Sequence, residues 1–230
     1  MAEHKLGIIG AGNMAEAILR GVLDSGFLPA ESILAADVSE DRRQYVQAQF
    51  GVACVPNAGQ AARCPRVLLA VKPQVMPDVL QDIAGAVGPD ALVVSIAAGI
   101  PTSGIDSGLR RKGRIVRVMP NTPMLVGAGV SAVAAGPRAE EADVTWTCDL
   151  MGAGGKTVVV EEAMMDAVTA VSGSGPAYFF YLVEAMVAAG VAEGLPDETA
   201  LELARQTCLG AGKLMADSGE DPAELRRRVT

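Results

Sequence analysis

Histidine is almost absent from this sequence: His4 is the only one in 230 residues. That single count excludes a Ser-His-Asp relay and a histidine-rich metal cluster. His4 itself, just ahead of a strand-like run, reads as a solvated side chain. Cysteine is sparse as well. Cys54, Cys64, Cys148 and Cys208 lie far apart and form no CxxC pair. They read as free thiols of a reducing compartment, with no disulfide frame, and no metal is expected. Positive charge is in deficit: the formal net charge is −8 and the pI about 4.7. Nucleic acid and anionic membrane are poor partners for such a surface, because either needs a basic face, and a small molecule becomes the better expectation. The opening MAEHKLGIIG lacks a basic stretch followed by a long apolar run, so no secretory signal is expected and the cytoplasm is the default location. The most apolar later stretch, 177–192, is interrupted by Glu184 and falls short of the roughly 20 residues of a membrane span. It reads as a buried helix of a soluble protein. Aromatic residues make up only 3% of the chain, yet Tyr178, Phe179, Phe180 and Tyr181 are consecutive.

What the chain has in quantity is aliphatic and small residues. Half of it is hydrophobic, enough for one sizeable core and a second, smaller unit. Short apolar runs at 6–9, 33–36, 67–71, 92–96 and 115–119 alternate with helical patterns, the rhythm of βαβ units and a parallel sheet. Further strands are expected at 130–134 and 157–160, on either side of a helix at about 140–151. Past residue 161 the strand signals stop, and helices are expected at 163–171, 176–193 and 197–217. In the last of these Leu201, Ala204, Cys208, Ala211 and Met215 recur at spacings of three and four, giving one apolar stripe. The expectation is therefore an α/β domain over 1–161, with a glycine-rich turn at 10–15 that points to dinucleotide binding, and an all-helical domain over 162–230.

The first run leads into Gly10, Ala11, Gly12, Asn13, Met14 and Ala15, a GxGxxG/A turn between a strand and a helix. Gly10 suits the tight turn, Gly12 lets a pyrophosphate approach the backbone, and Ala15 lets helix and strand pack closely. The anion would lie on the free N–H groups at the helix start. Asp37, ending the second run, falls near the position of the acid that holds the ribose and favours NAD, whereas Arg42 and Arg43 close behind could meet the extra phosphate of NADP. Both cofactors remain open. Three later strand ends add to the same edge. Val71, Lys72, Pro73 and Gln74 put a cation before a helix-starting proline. Ala97, Ala98 and Gly99 are small enough for backbone to approach a flat ring. Asn121, in Met-Pro-Asn-Thr-Pro, brings an amide to a rigid turn.

Taken together, IIGAGNMAEAI, AVKPQ, VVSIAAGI, RVMPNTP and AVTAVSGSGPAYFFYLVEAM resemble pyrroline-5-carboxylate reductase, in the order of that family and over essentially the whole chain. The resemblance implies NAD(P)H-dependent reduction of the C=N bond of 1-pyrroline-5-carboxylate to L-proline. It implies a Rossmann-type first domain and a helical domain that intertwines with a second subunit, in homodimers that build into larger rings. Cofactor contacts are implied for Gly10 to Ala15, for Asp37 and Ser39, for Asn57, for Val71 to Gln74 and for Ala97 to Gly99. Several relatives carry an arginine in the turn where this chain has Val38. The family's Ser-Pro-Gly-Gly-Thr-Thr loop, which holds the substrate carboxylate, would lie beyond Thr230, so no catalytic residue is assigned.

A protonated imine is already electrophilic, which suits a chain with almost no histidine, and positioning then carries most of the rate. Asn121, Ser172 and Ser174 lie near the expected substrate pocket, although the two serines also suit helix capping. A β-hydroxyacid dehydrogenase or imine reductase is the first alternative, disfavoured because Lys213 comes too late in the helical domain to be its catalytic lysine. A nucleotide-binding oligomer without chemistry is the second. The four consecutive rings point all round a helix, so "SGSGP" reads as the rigid, capped start of a dimer-core helix.

Overall fold

The structure, a computed structural model, describes residues 4–229. The reading of the first three residues as part of a leaderless start, and the loop expected past Thr230, lie outside the described residues. Strands β1 (Leu6–Ile9), β2 (Ile33–Ala36), β3 (Ala53–Val55), β4 (Arg66–Leu69), β5 (Leu92–Ser95), β6 (Arg114–Met119), β7 (Gly129–Ala135) and β8 (Gly155–Val159) form one sheet. Their order is β3-β2-β1-β4-β5-β6-β7-β8. Neighbours from β3 to β6 are parallel, β7 is antiparallel to β6, and β8 is parallel to β7. The order reverses between β1 and β4, which makes the carboxyl end of β1 a topological switch point.

Helices α1 (Asn13–Asp24), α2 (Glu40–Phe50) and α6 (Glu141–Gly152) share a core with one face of the sheet, and α3 (Ala58–Ala61), α4 (Met76–Ile83) and α5 (Thr102–Gly108) with the other. Strand side chains divide by alternation: Leu68 goes to the first core, Val67 and Leu69 to the second. Burial on both faces is why these strands read as unbroken apolar runs. Gly7 shows how close the second layer comes, since a Cβ there would stand 2.0 Å from the Ala61 carbonyl oxygen. The edge strand β3 was not expected, because three residues are too few to display a period. His4 is half-buried just before β1 rather than fully solvated.

The chain divides into two compact units, one ending at Ser174 and the other starting at Gly175. The boundary at 161 is expected from the loss of strand signals; by its contacts 162–174 is tied to the sheet unit. The Glu162 carboxylate accepts from the Thr102 N–H at 2.7 Å and from its hydroxyl at 2.5 Å, and pairs with buried Arg117 at 3.4 Å. Met165 packs on Ala132 and Ala134. This segment is not one helix over 163–171. It is a 3₁₀ turn at Glu162–Met164, a short α7 (Met165–Val168) and a π-turn at Thr169–Gly173.

The helical unit contains α8 (Gly175–Ala192), α9 (Asp197–Ser218) and a short α10 (Pro222–Arg227) that was not expected. Asp221 starts α10 by accepting from the Ala223 N–H at 2.8 Å, with Pro222 in the first turn. One expectation about α8 is corrected. Its N-terminus is not a capped entry: Ser174 has helical φ and ψ of −84° and −18°, and the Ser172 hydroxyl donates back to the Val168 carbonyl at 3.0 Å. Its rings are not covered within one chain, as a dimer-core helix requires: Tyr178, Phe179, Phe180 and Tyr181 are 58, 54, 62 and 73% exposed. Counted through the turns before it, Glu162–Ala192 is long and apolar enough by length and composition to cross a membrane.

Candidate functional site

The glycine-rich turn connects β1 to α1 at the switch point. Gly10 takes φ +91°, donates to the Ala36 carbonyl at 2.8 Å, and has no room for a Cβ, which would stand 2.6 Å from the Ala70 carbonyl oxygen. Gly12 precedes α1 with no side-chain cap, and a Cβ built on it meets nothing within 4 Å. The first N–H groups of α1, at Asn13, Met14 and Ala15, have no partner in their own helix, and the space beside Gly12 ahead of them is open. Ala15 is fully buried against the sheet, which lets the helix start this close to the strand. Open space before an uncapped helix N-terminus fits a pyrophosphate.

A cleft of about 670 Å³ extends from this turn, with Gly10, Asp37, Asn57 and Val71 among its walls. Asp37 follows β2 directly. Its Oδ2 accepts from the Ala11 N–H at 2.7 Å and its Oδ1 from the Ser39 N–H at 2.8 Å. Ser39 heads α2, accepting from the Arg42 N–H at 3.4 Å. Asn57 heads α3 in the same way, accepting from the Gly59 N–H at 2.8 Å. Lys72 is exposed and leads into a 3₁₀ turn at Pro73–Val75, which puts Pro73 and Gln74 at the start of the following helical run.

The sequence reading missed the opposite wall, which is one face of α4 and the residue ahead of it: Val75, Asp78, Val79 and Asp82. Their spacing of three, one and three is a helical stripe, but it mixes apolar and acidic residues and so resembles neither a core face nor a charged surface.

Two further groups stand apart from this cleft's walls. Ala97 is buried and its N–H donates to the Ser95 hydroxyl at 3.3 Å, while Ala98 and Gly99, the latter at φ +72°, are exposed. At the next strand end Asn121 Oδ1 accepts from the Val130 N–H at 2.9 Å and its Nδ2 donates to the Ser172 carbonyl at 3.2 Å. Asn121 thus pins the π-turn to the end of β6, and Ser174 lies exposed just beyond. A π-turn inside a helical run is a frequent mark of function.

Cysteine nucleophiles do not fit here. Burial pushes the Cys54, Cys64 and Cys148 thiols up, away from the reactive thiolate.

Residues 162–230 match the model of pyrroline-5-carboxylate reductase dimerisation, and 5–99 match that of NADP oxidoreductase, coenzyme F420-dependent. Over 232 aligned residues the chain is 44% identical to the pyrroline-5-carboxylate reductase of Pseudomonas aeruginosa, covering all of this chain and 85% of that one. The chain belongs to the pyrroline-5-carboxylate reductase family. Among solved structures, the reductase of Coxiella burnetii superposes with a TM-score of 0.91 at 33% identity, covering 100% of this chain and 86% of that one. A Plasmodium falciparum pyrroline carboxylate reductase described with NADP bound gives 0.87 at 28% identity, covering 100% and 85%. Membership in the reductase family makes this an oxidoreductase with NAD(P)H as cofactor, and its dimerisation region makes it a homo-oligomer acting on a small molecule. Whole-length likeness to these reductases leaves the β-hydroxyacid dehydrogenase and non-catalytic alternatives without support.

Proposed function

We propose that this protein reduces 1-pyrroline-5-carboxylate to L-proline with NAD(P)H, the last step of proline biosynthesis. The observation that carries the proposal is identity to such reductases along the whole chain, joined to an open glycine-rich cradle at the switch point of the sheet. In this reading the N–H groups of Gly12 to Ala15 hold the pyrophosphate, and Gly10 and Ala11 shape the turn. Asp37 and Ser39 face the ribose, Asn57 and Val71 line the adenosine cleft, and Lys72, Pro73 and Gln74 border the phosphates. Ala97, Ala98 and Gly99 give the nicotinamide a flat backbone to lie on. When bound, the reduced nicotinamide supplies a hydride to the imine carbon.

The chain's own contribution is to orient and to exclude water, since no histidine lies near the site. Asn121, through its two hydrogen bonds, holds the π-turn carrying Ser172, with Ser174 directly after it, beside the pocket. The exposed rings of α8 support a homodimer in which a second copy covers them, with dimers building into a ring. The free cysteines support a cytoplasmic location.

Purified full-length protein is expected to consume NADH or NADPH only when pyrroline-5-carboxylate is added, followed by the near-ultraviolet absorbance of the reduced cofactor. Intact cofactor binding without substrate-dependent oxidation refutes the proposal.

A further inference from the structure

The adenosine cleft is charged in one sense only. Its walls carry three carboxylates, Asp37, Asp78 and Asp82, and no lysine or arginine. Asp37 is fixed by the two backbone N–H groups it accepts from, so its charge stands at the end of β2 beside the glycine-rich turn. The cations nearest in sequence are already engaged. Arg42 gives its Nε to the Ala11 carbonyl at 2.8 Å and its Nη2 to Glu16 at 3.1 Å. Glu16 also accepts from the Tyr45 hydroxyl at 2.8 Å; burial acts to raise its pKa, but these hydrogen bonds outweigh it and hold the carboxyl low and charged. Arg43 turns its Nη1 to the Asp37 and Val38 carbonyls at 3.0 and 2.8 Å. Val38, 92% exposed, leaves an apolar side chain in the turn itself.

We propose that Asp37 makes this cleft prefer NADH to NADPH. The inference rests on the reductase function above and concerns only which cofactor serves it. The two cofactors differ by one phosphate on the ribose 2′ oxygen. A 2′-hydroxyl can donate to Asp37, which has about four acceptor positions and uses two of them on the backbone. A 2′-phosphate brings negative charge to a fixed carboxylate in a cleft less well screened than bulk water. Arg42 spends its Nε and Nη2 on Ala11 and Glu16, so its Nη1 is what it has left for such a phosphate, and the Glu16 carboxylate already offsets its charge.

The test is to titrate the full-length protein with NADH and with NADPH, without substrate, following nicotinamide fluorescence, and then to compare kcat/KM for the two with pyrroline-5-carboxylate. NADH is expected to bind about 10-fold tighter or better, and Val38→Arg, which adds an uncommitted cation to the turn, is expected to narrow the gap about 10-fold. Asp37→Ser is expected to cost NADH more than NADPH. Equal or tighter binding of NADPH by the unaltered protein overturns the proposal. So does an Asp37→Ser variant that weakens both cofactors by the same factor, which would make Asp37 only a brace for Ala11. The expected binding ratio without any oxidation on adding substrate leaves the preference standing and removes the reductase function, so the two failures are distinguishable.

Discussion

In the sheet unit Leu6, Ile8, Leu68 and Leu69 are almost wholly removed from water, whereas in the helical unit Phe180, Tyr181, Leu209 and Leu214 remain 62, 73, 65 and 57% exposed. The residue types are alike, so the difference lies in what surrounds them. A sheet with helices on both faces closes its own core from one chain. Three helices cannot, and among their described residues only Gly175, Ala200 and Ala204 are buried. Each large side chain left outside forgoes about 1.5–3 kcal/mol of burial, which a second copy can supply. A family whose helical region is named for dimerisation is the biological form of that shortage.

The largest effect that would break the contrast is on assembly. Phe180→Asp, or Phe179→Asp, puts a charge where a partner must pack, and is expected to give monomers or insoluble protein by light scattering after size exclusion. A soluble dimer of normal melting temperature would mean these rings are not at the subunit interface.

A smaller effect is expected where the sheet unit holds residues 162–174. Glu162→Ala removes the acceptor for the Thr102 N–H and hydroxyl and leaves Arg117, whose side chain is 8% exposed, without its carboxylate. A loss of about 2 kcal/mol is expected in chemical denaturation. A loss under about 0.5 kcal/mol would mean that 162–174 is held by Met165 and its neighbours alone.

The smallest effects separate the charge pairs of the two units. Asp143 meets Arg114 through two bonds at 2.7 and 3.0 Å with its side chain 7% exposed, whereas Lys213 and Asp217 pair at 72 and 61% exposure. Burial acts to raise the Asp143 pKa, but Arg114 and the Glu140 N–H outweigh it and hold the carboxyl below the usual range. A lowered folded-state pKa contributes stability above the ordinary carboxylate value of about 4, and that contribution fades as the pH falls through the lowered one. Asp143→Asn is therefore expected to cost about 1–2 kcal/mol at neutral pH and progressively less below about pH 4. Lys213→Ala is expected to cost under about 0.5 kcal/mol at any pH, by the same denaturation measurement. Equal costs would mean that burial does not distinguish the two units' charges.

Much of the sheet unit was legible in the sequence because strands buried on both faces leave a plain apolar signature. The runs at 6–9 and 33–36 are β1 and β2 to the residue. The glycine-rich turn was equally legible, since its function is a backbone function and glycine is its trace. The acidic wall of the cleft was not. Asp78 and Asp82 look like ordinary surface charge on α4 until β1 and β2 are set opposite them. Ser172 misled for a related reason: a serine near a helix start suggests a cap, but a hydroxyl can also bond back to the carbonyl four residues earlier, and only backbone geometry distinguishes the two.

What the sequence determined by itself was local: where the strands lie, where the backbone must be bare of side chains, and that one helix carries more aromatic bulk than one face can hide. What the tertiary structure decided was which charges meet. Arg42 and Arg43 read as free to greet a phosphate, yet the fold engages them with Glu16 and with backbone carbonyls from the glycine-rich turn and the turn after β2. Hydrogen bonds between residues 26 or 31 positions apart leave no periodic trace in a chain, because they depend on the arrangement of elements in space and not on the spacing within any one of them.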